Sequence, residues 1–308
     1  MRCAKATAQR SSVSHPADKP PGVPTLPAME NTLRTDDGTK LFVQPWPAPG
    51  PARGTVVIVH GLGEHIGRYA HVAKHLNGWG WNVVGYDHRG HGRSEGAKGR
   101  LNDSDDLLRD LSGVIAAARA EYLGPLVLLS HSLGGLIAGR FIAEGMSVSP
   151  AAWYRPVDAL VMSSPAIDPG MNAAQKALLA VMGPLAPNLA VNNGLKPEWI
   201  SRDPAVVKAY VDDPLVHDRI TPRLVRFILD GGALVLQRAP QWNTPTLLVY
   251  AGSDRCVSPA GSKAFAAAAP ASVVMTREFP AMFHEIFNEP DQAKVFDTLA
   301  GWLASRGH

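Results

Sequence analysis

The chain has 308 residues, enough for one large α/β domain with an insertion or for two small domains. Hydrophobic residues make up 45% and charged residues 19% of it, which are ordinary values for a globular protein. Thirty basic residues against 27 acidic ones give a net charge of +3, which is too balanced to indicate nucleic acid or a strongly anionic partner.

Cysteine content and hydropathy bear on the compartment in which the protein works. Cys3 and Cys256 are too few for a disulfide framework, so nothing in the sequence requires an oxidising compartment. No window approaches the roughly 18 continuous apolar residues that a membrane-spanning helix needs. The basic N-terminal residues are followed by no apolar stretch of the signal-peptide type. We therefore expect a cytoplasmic protein, with peripheral membrane contact as the open alternative.

Residues 1–30 differ from the rest of the chain in composition. They are rich in Pro, Ser and Ala, and we interpret them as a disordered N-terminal extension. Recognisable structure begins just after Met29, so one hypothesis is that Met29 is the true start. The intact mass of the protein expressed from its own gene tests this, because a species that begins at Met1 would contradict it.

Strands and helices alternate between residues 31 and 165. A hairpin is predicted at residues 32–44, with its turn at residues 36–38. Apolar runs predict the buried strands that follow, at Thr55–Val59, Trp81–Tyr86, Leu126–Leu129 and Val157–Met162. Helical spacing of apolar residues predicts the helices between them, at Arg68–Trp79, Asp105–Ala120 and Leu136–Glu144. Short connections between alternating elements indicate a parallel sheet with helices on both faces.

The alternation stops in residues 166–241. This segment has no convincing strand, and prolines separate its short helical pieces. One piece places Met171, Leu178 and Val181 on one side. That face could belong to a helix packed on the core, or to a cap that lines an acyl-chain tunnel or contacts lipid. We interpret residues 166–241 as a helical cap, or lid, with transient lipid contact as one expected interaction.

The alternation resumes after residue 242. Strands are predicted at Thr246–Ala251 and Val273–Phe279, and helices at about Gly261–Ala269 and Asp291–Ala304. Residues 31–165 and 242–308 are therefore expected to form one sheet. The cap would be an insertion after the sixth strand.

The stretch Val127–Gly135 places a serine between a predicted strand and a predicted helix. This is the context of a nucleophile elbow, in which a strained backbone lifts the Oγ of Ser132 out of the turn. The residues two before and two after must be small, because the strand and helix backbones nearly touch there. Gly134 meets this condition, whereas Ser130 stands where the G-x-S-x-G pattern has its first glycine. Whether Ser130 is only tolerated or contributes a hydroxyl to the turn is left open.

A serine hydroxyl needs a base within hydrogen-bond reach, and the base needs an acid that orients it. In a parallel α/β sheet such residues are expected just past the carboxyl ends of strands. Asp254 follows one predicted strand and His284 the next. Asp254 could instead cap a helix that begins near Pro259, and a lone loop histidine is more often structural. The order Ser132, Asp254, His284 is nevertheless that of an α/β-hydrolase.

Attack on an ester carbonyl creates a charged oxygen that backbone N–H groups must stabilise. One donor is expected from Leu133, directly after the candidate nucleophile. The second is expected from the glycine-rich turn after the third strand, where we choose the N–H of Leu62. The alternative is that these glycines only permit a tight turn.

Several of the 11 histidines fall near predicted strand ends, so a metal site has to be weighed. These residues are His60, His65, His88, His91 and His131. They form neither an i,i+4 helical pair nor a run of closely spaced metal ligands. Packing and hydrogen bonding in the loops around the elbow explain them better. We expect neither a metal nor an organic cofactor.

Six blocks of sequence form a recognisable set. The first three are HGLGEHIGRY at His60–Tyr69, YDHRGHGRSEG at Tyr86–Gly96 and SHSLGG at Ser130–Gly135. The others are SRDPAVVKAYVDDPLVH at Ser201–His217, AGSDRCVSP at Ala251–Pro259 and FHEIFNEP at Phe283–Pro290. Together they resemble the monoacylglycerol lipase and lysophospholipase group of serine α/β-hydrolases over about residues 30–306. Ser130 and the sequence before Pro197 depart from the pattern of that group.

The resemblance implies an α/β-hydrolase fold and specific roles. Ser132 would be the nucleophile, His284 the base and Asp254 its orienting acid. The Leu62 and Leu133 amides would form the oxyanion hole. Family members bind the glycerol end of the substrate near the positions that match Glu64, Arg68, His131 and Tyr210.

We therefore expect a serine carboxylic-ester hydrolase that cleaves monoacylglycerols or similar lipid monoesters through an acyl-enzyme. The alternative within hydrolases is a broad carboxylesterase without glycerol preference. Ser132 excludes dehalogenases and epoxide hydrolases, which carry a carboxylate at the elbow. A perhydrolase or haloperoxidase shares the triad and is separated by peroxide-dependent halogenation. A non-catalytic binding protein would usually have lost a triad residue, and here none is lost.

Overall fold

The structure, a computed structural model, describes residues 31–306. The predictions of disorder in residues 1–30 and of a start at Met29 lie outside these described residues. In chain order, the strands are β1 (Thr32–Arg34), β2 (Lys40–Trp46), β3 (Thr55–Val59), β4 (Asn82–Tyr86), β5 (Leu126–His131), β6 (Ala159–Ser163), β7 (Val191–Asn192), β8 (Arg219–Ile220), β9 (Thr246–Ala251) and β10 (Val274–Phe279).

The α-helices of the described part connect these strands. They are α1 (Ala70–Gly78), α2 (Asp106–Glu121), α3 (Leu133–Glu144), α4 (Ala173–Leu185), α5 (Pro204–Asp212), α6 (Pro222–Arg238), α7 (Pro259–Ala268) and α8 (Ala293–Ala304). Short 3₁₀ turns lie at Ile66–Tyr69, Pro197–Trp199, Ala239–Gln241 and Ile286–Asn288. The predicted helices and strands agree with these bounds to within three residues at each end, a normal uncertainty for element ends.

Eight strands form one sheet in the order β1-β2-β4-β3-β5-β6-β9-β10. Strand β2 pairs antiparallel with both β1 and β4, and all other neighbours pair parallel. Parallel neighbours need crossover connections, which the helices supply. The predicted N-terminal hairpin and the predicted mostly parallel sheet with flanking helices are both confirmed.

The core lies in two layers, one on each face of the sheet. Helices α1 and α8 pack their apolar residues on one face, and α2, α3, α6 and α7 pack on the other. The central strands are buried on both faces, which is why β3 reads as the continuous apolar run Thr55–Val59 rather than as an alternating pattern. The sheet is thereby held as a rigid support for the loops at its edge.

Residues 166–241, called the inserted segment from here on, leave the sheet after β6 and rejoin it at β9. They contain α4, α5 and α6 together with the short antiparallel pair β7 and β8. The expectation of a strand-free segment was therefore wrong in detail, because a pair of two-residue strands is too short to produce a periodic pattern. Helix α4 buries Leu179 but exposes Leu178, Val181 and Leu185, so the predicted apolar face does not pack on the core.

The carboxyl ends of β3 and β5 lie side by side, with Val59 paired to Ser130. From β3 the chain crosses to β4 on one side, while β5 lies on the other, so the loops diverge at this point. Ligands of open α/β sheets bind at such a switch point. Within residues 31–306 no helix has both the length and the apolar character required to cross a membrane.

Candidate active site

Ser132 stands at the switch point, between the end of β5 and the first turn of α3. Its φ of 53° and ψ of −119° lie in a region that non-glycine residues rarely adopt. Two backbone hydrogen bonds to the end of β6 hold this conformation. Ser132 N donates to Ser163 O at 3.0 Å, and Ala166 N donates to Ser132 O at 2.9 Å. The surrounding structure thus fixes the strained turn that the elbow pattern predicts.

Gly134 explains why the turn needs a residue without a side chain. A Cβ at this position would lie 2.1 Å from Val59 O and 2.4 Å from His60 O. Helix α3 therefore approaches the backbone at the end of β3 more closely than any alanine would allow. This approach brings the start of α3 against the turn that follows β3.

Ser130 fills the position where the elbow pattern has its first glycine. Its side chain is buried, and its Oγ donates to Val161 O at 2.7 Å across the β5–β6 pair. The Ser130 hydroxyl therefore bonds to the neighbouring strand β6 rather than to the turn itself. A serine is accommodated here because its polar atom is paired rather than buried alone.

The side chains of Ser132, His284 and Asp254 form a continuous hydrogen-bonded chain. His284 Nε2 lies 2.8 Å from Ser132 Oγ, and His284 Nδ1 lies 2.7 Å from Asp254 Oδ2. Asp254 follows β9 and His284 follows β10, so three strand-end loops converge at one point. The other oxygen of Asp254 accepts from the N–H groups of Cys256 and Val257 at 2.8 and 3.1 Å, which fixes the carboxylate.

The charged groups around the Ser132–His284–Asp254 series make His284 a stronger base. Burial, the largest single effect, would lower the pKa of His284, but the carboxylates of Asp254, Glu285 and Glu64 together outweigh it and raise that pKa above its ordinary value. Burial would likewise raise the pKa of Asp254, yet His284 and the two backbone donors keep the pKa below its usual range. Asp254 is therefore ionised when His284 accepts a proton.

We expect kcat/KM for a simple ester to fall as the pH is lowered through a pKa above about 6.5, the ordinary value for histidine. The reason is that His284 must be neutral to take a proton from Ser132, while Asp254 favours its protonated form. A pH–rate profile of the free enzyme measures this. Asp254→Asn should shift the acid limb to lower pH as well as reduce the rate, and an unshifted limb would contradict the assignment.

The two expected oxyanion donors lie on opposite sides of Ser132. Leu133 begins α3, and Leu62 lies in the turn after β3. Neither backbone N–H has a hydrogen-bond acceptor among the described residues. His60 and His88 brace this turn, since His88 N donates to His60 Nε2 at 3.0 Å and His88 Nε2 donates to His60 O at 2.8 Å. The positions suit an oxyanion hole, and that role stays a prediction.

Of the four residues expected near the glycerol end, Glu64 and Arg68 are buried in a charged cluster. Glu64 Oε1 accepts from Gly61 N and from Tyr69 Oη, at 2.6 and 2.7 Å. Glu64 Oε2 accepts from Arg68 Nη1 at 2.7 Å. Arg68 also forms a two-pronged pair with Glu285 at 2.6 and 2.7 Å. Sequence reasoning missed Glu285, although an acid directly after the candidate base was a visible signal.

The other two expected glycerol contacts, His131 and Tyr210, border the open space beside Ser132. The His131 ring lies 4.7 Å from that of His284, and its Nδ1 donates to Ser163 O at 3.1 Å. Tyr210 comes from α5 of the inserted segment and lies under the Arg68 guanidinium, 4.9 Å from ring centre to Cζ. Glu64, His131 and Tyr210 therefore border the cavity beside Ser132, whereas Arg68 does not.

Two cavities meet at Ser132 and Leu62. One, of about 430 Å³, is bordered largely by polar residues that include Glu64, Lys98, His131, Tyr210, His217 and Glu285. The other, of about 420 Å³, is bordered mostly by apolar residues that include Leu133, Ala166, Met171, Val225, Ile228 and Val257, with Gln175, Asn193 and Arg255 among them. A serine between a polar and an apolar cavity suits an ester with one polar and one apolar part.

The histidines that raised the question of a metal are used in packing. Burial lowers the pKa of both His88 and His91 to about 3, so these rings are neutral at physiological pH. Within residues 31–306, the side chains whose donor atoms converge within 4.8 Å are Asp254, Cys256 and His284. The His284 nitrogen that faces Asp254 is already hydrogen-bonded to it, and burial raises the pKa of the Cys256 thiol far above its usual value. Asp254 and His284 are instead accounted for by the hydrogen-bonded chain that ends at Ser132.

A comparison with protein families matches residues 50–291 to the family described as serine aminopeptidase, S33. Among curated relatives, the monoacylglycerol lipase of Mycolicibacterium smegmatis is 35% identical over 280 residues, which are 90% of this chain and 97% of that protein. The human monoglyceride lipase is 28% identical, and the match covers 95% of each chain.

Solved structures agree with the sequence comparisons. The crystal structure of Paleococcus ferrophilus monoacylglycerol lipase is 33% identical, with a TM-score of 0.76 over 86% of this chain and 98% of that one. The match spans nearly the whole of that structure, so the two chains share the same overall fold.

Proposed function

The chain belongs to the serine aminopeptidase S33 family of α/β-hydrolases, and on that premise we propose that it is a serine carboxylic-ester hydrolase that cleaves monoacylglycerols. One observation supports the reaction type most directly. The hydrogen-bonded chain Asp254–His284–Ser132 ends at a serine that faces two cavities, one of which is bordered by more polar and charged side chains than the other. The substrate class is supported by relatives that are named monoacylglycerol lipases and are matched over nearly their whole length.

In the proposed reaction, Ser132 Oγ attacks the ester carbonyl carbon while its proton passes to His284 Nε2. The carbonyl oxygen becomes negatively charged and accepts hydrogen bonds from the Leu62 and Leu133 amides. His284 then gives its proton to the leaving glycerol oxygen, and an acyl-enzyme remains on Ser132. Water, deprotonated by His284, attacks the acyl group; the bond to Ser132 Oγ then breaks, His284 returns the proton to that oxygen, and the fatty acid is released.

The two cavities assign the two parts of the substrate. We place the acyl chain in the apolar cavity beside Leu133 and Ile228, because burial of its methylene groups stabilises the complex by about 0.8 kcal/mol each. The glycerol part fits the polar cavity beside His131 and Tyr210, where hydroxyl groups find donors and acceptors. Ester cleavage at Ser132 would then separate the products into different cavities.

Glycerol preference is what separates this proposal from a broad carboxylesterase. We would compare kcat/KM for glycerol monoesters and methyl esters that share one acyl chain, across several chain lengths. A preference for the glycerol esters supports the proposal, and equal rates favour the broad carboxylesterase. An aminoacyl p-nitroanilide belongs in the panel, because the family description names an aminopeptidase. Faster cleavage of that amide than of any ester would contradict ester hydrolysis as the main activity.

We also propose that the inserted segment acts as a lid that contacts a lipid surface, as expected for a protein at the periphery of a membrane. Helix α4 leaves Leu178 and Leu185 62% and 75% exposed, and it begins two residues after Met171, which borders the apolar cavity. Apolar side chains on one side of a surface helix favour binding to a lipid interface. Lipid substrate could then pass from that interface into the cavity.

Leu178→Glu and Leu185→Glu test the lid. We expect each to lower turnover of a long-chain monoacylglycerol in phospholipid vesicles by about tenfold, since each removes one leucine from the lipid contact. Turnover of a short water-soluble ester should not change. Leu123→Glu is the matched control, because Leu123 is 87% exposed just before β5, at the opposite edge of the sheet. Equal vesicle turnover in all three variants would contradict lipid contact through α4.

A further inference from the structure

A buried charged cluster lies between the turn after β3 and the loop after β10. It consists of Glu64, Arg68, Tyr69 and Glu285. The side chains of Glu64, Arg68 and Glu285 are only 5%, 11% and 6% exposed, although all three carry ionisable groups. Long charged side chains are seldom buried unless they are paired, so this cluster needs an explanation beyond solubility.

One side of the cluster fixes the loop of the candidate base. Glu285 follows His284 directly, and both of its carboxylate oxygens accept from Arg68, at 2.6 and 2.7 Å. Its backbone N–H donates to Ile200 O at 2.8 Å, which ties the same loop to the inserted segment. A two-pronged pair of this kind fixes orientation as well as distance. The direction of the His284 backbone is therefore set partly by Arg68.

The other side of the cluster fixes the turn that offers an oxyanion donor. Arg68 Nη1 donates to Glu64 Oε2 at 2.7 Å, while Glu64 Oε1 accepts from Gly61 N at 2.6 Å. Gly61 directly precedes Leu62. The carboxylate thus holds the peptide next to the expected donor. Tyr69 Oη donates to the same Glu64 oxygen at 2.7 Å and limits its rotation.

The Arg68 guanidinium is already occupied by contacts within the protein, so little of it is left to bind a substrate. Nη1 is shared between Glu64 and Glu285, Nη2 is bonded to Glu285, and the Tyr210 ring covers one face of the guanidinium at 4.9 Å. Glu64 and Glu285 border the polar cavity, whereas Arg68 lies behind them. One cation therefore bridges two anions that belong to different loops.

We propose that Arg68 is a positioning residue that couples the His284 loop to the Leu62 turn through Glu285 and Glu64. In this role it sets the distance between the general base and the oxyanion donor, and it does not recognise glycerol. The inference rests on the proposed ester hydrolysis at Ser132. If Arg68 has this role, replacing it should lower kcat by the same factor whichever alcohol the ester carries.

Arg68→Met tests the coupling. We expect kcat to fall by roughly 10- to 100-fold on both a glycerol monoester and a methyl ester of the same acyl chain, as a small misplacement of reacting groups would produce. KM should stay within about twofold for both. Arg68→Lys should restore part of kcat, because it keeps the charge and loses only the two-pronged geometry. Arg140→Met is the matched control, since Arg140 pairs with Glu144 at 2.8 Å on α3 and should keep wild-type kinetics.

Two outcomes would overturn the inference. One is a rise in KM confined to glycerol esters, which would make Arg68 a substrate contact, and the other is unchanged kinetics on both esters. Absence of ester turnover in the wild-type protein would instead refute the proposed function itself. The melting temperature of each variant separates misplacement from unfolding.

Glu285→Gln provides a second test if Arg68→Met does not fold. It preserves the side-chain volume and should give the same equal loss of kcat on both esters. The charged and titratable groups around His284 include Asp254, Cys256, Glu64, Glu285 and His131. Removing the negative charge of Glu285 should also shift the acid limb of kcat/KM to lower pH, because that charge helps to raise the pKa of His284. A limb that does not move, with kcat unchanged, would contradict the coupling.

Discussion

Ser132→Ala is expected to lower kcat for ester hydrolysis by roughly 10⁵-fold while the protein stays folded. Without the hydroxyl that lies 2.8 Å from His284 Nε2, no acyl-enzyme can form. The remaining rate would come from water, assisted only by binding and by the oxyanion donors. Turnover of a p-nitrophenyl ester measures the loss, and a fluorophosphonate probe should no longer label the protein.

The matched control for this substitution is Ser112→Ala. Ser112 is also a buried serine, but it lies on α2 and borders neither cavity at Ser132. It should retain wild-type turnover and labelling. Asp254→Asn should cost less than Ser132→Ala or His284→Ala, since the acid only orients and stabilises the base. Turnover by Ser132→Ala within about tenfold of wild type would refute the assigned nucleophile.

Gly134→Ala is expected to lower the free energy of unfolding by about 3 kcal/mol and to reduce turnover strongly. The added methyl group would lie 2.1 Å from Val59 O and 2.4 Å from His60 O, and both are backbone atoms that cannot rotate away. Helix α3 would have to move outward from β3. That movement would displace Leu133 and the strained Ser132 relative to the Leu62 turn. Urea unfolding and ester turnover measure the two effects.

Gly139→Ala provides a control in the same helix. A Cβ there would meet Val235 and Met162 side chains at 3.4 to 3.5 Å, which is ordinary contact. Because alanine favours the helix over glycine by up to about 1 kcal/mol, stability should be equal or slightly higher. A Gly134→Ala protein as stable and as active as Gly139→Ala would show that the close approach is not required.

The three residues of the candidate triad could be predicted from the sequence because each follows the end of a predicted strand. Ser132 and Asp254 come just past strands that were predicted from apolar runs, and His284 lies in the loop after the predicted edge strand β10. Carboxyl ends of parallel strands share one edge of the sheet, so position along the chain translated into proximity in space. The structure places the three side chains within 2.8 Å of their neighbours in the chain of hydrogen bonds.

Contacts between separate loops could not be predicted from the sequence in this way. Arg68 and Glu285 are 217 positions apart, and no periodic pattern relates a buried charge to its partner. The exposed face of α4 was equally ambiguous, because an apolar stripe looks the same whether it packs on the core or faces outward. The short strands β7 and β8 depend on tertiary contacts rather than on local preference.

The strands that flank the inserted segment have a consequence for the evolution of the family. Strands β6 and β9 are parallel neighbours in the sheet, with Val161 paired to Leu247, so the segment leaves at the carboxyl end of β6 and returns at the amino end of the adjacent strand. Lengthening such a connection adds little to the entropic cost of closing it, roughly 0.6 kcal/mol for each doubling of its length. Divergent lineages could therefore enlarge or exchange the part of the segment that precedes α6, whereas α6 itself packs in the core. New substrate ranges could arise by replacing that part.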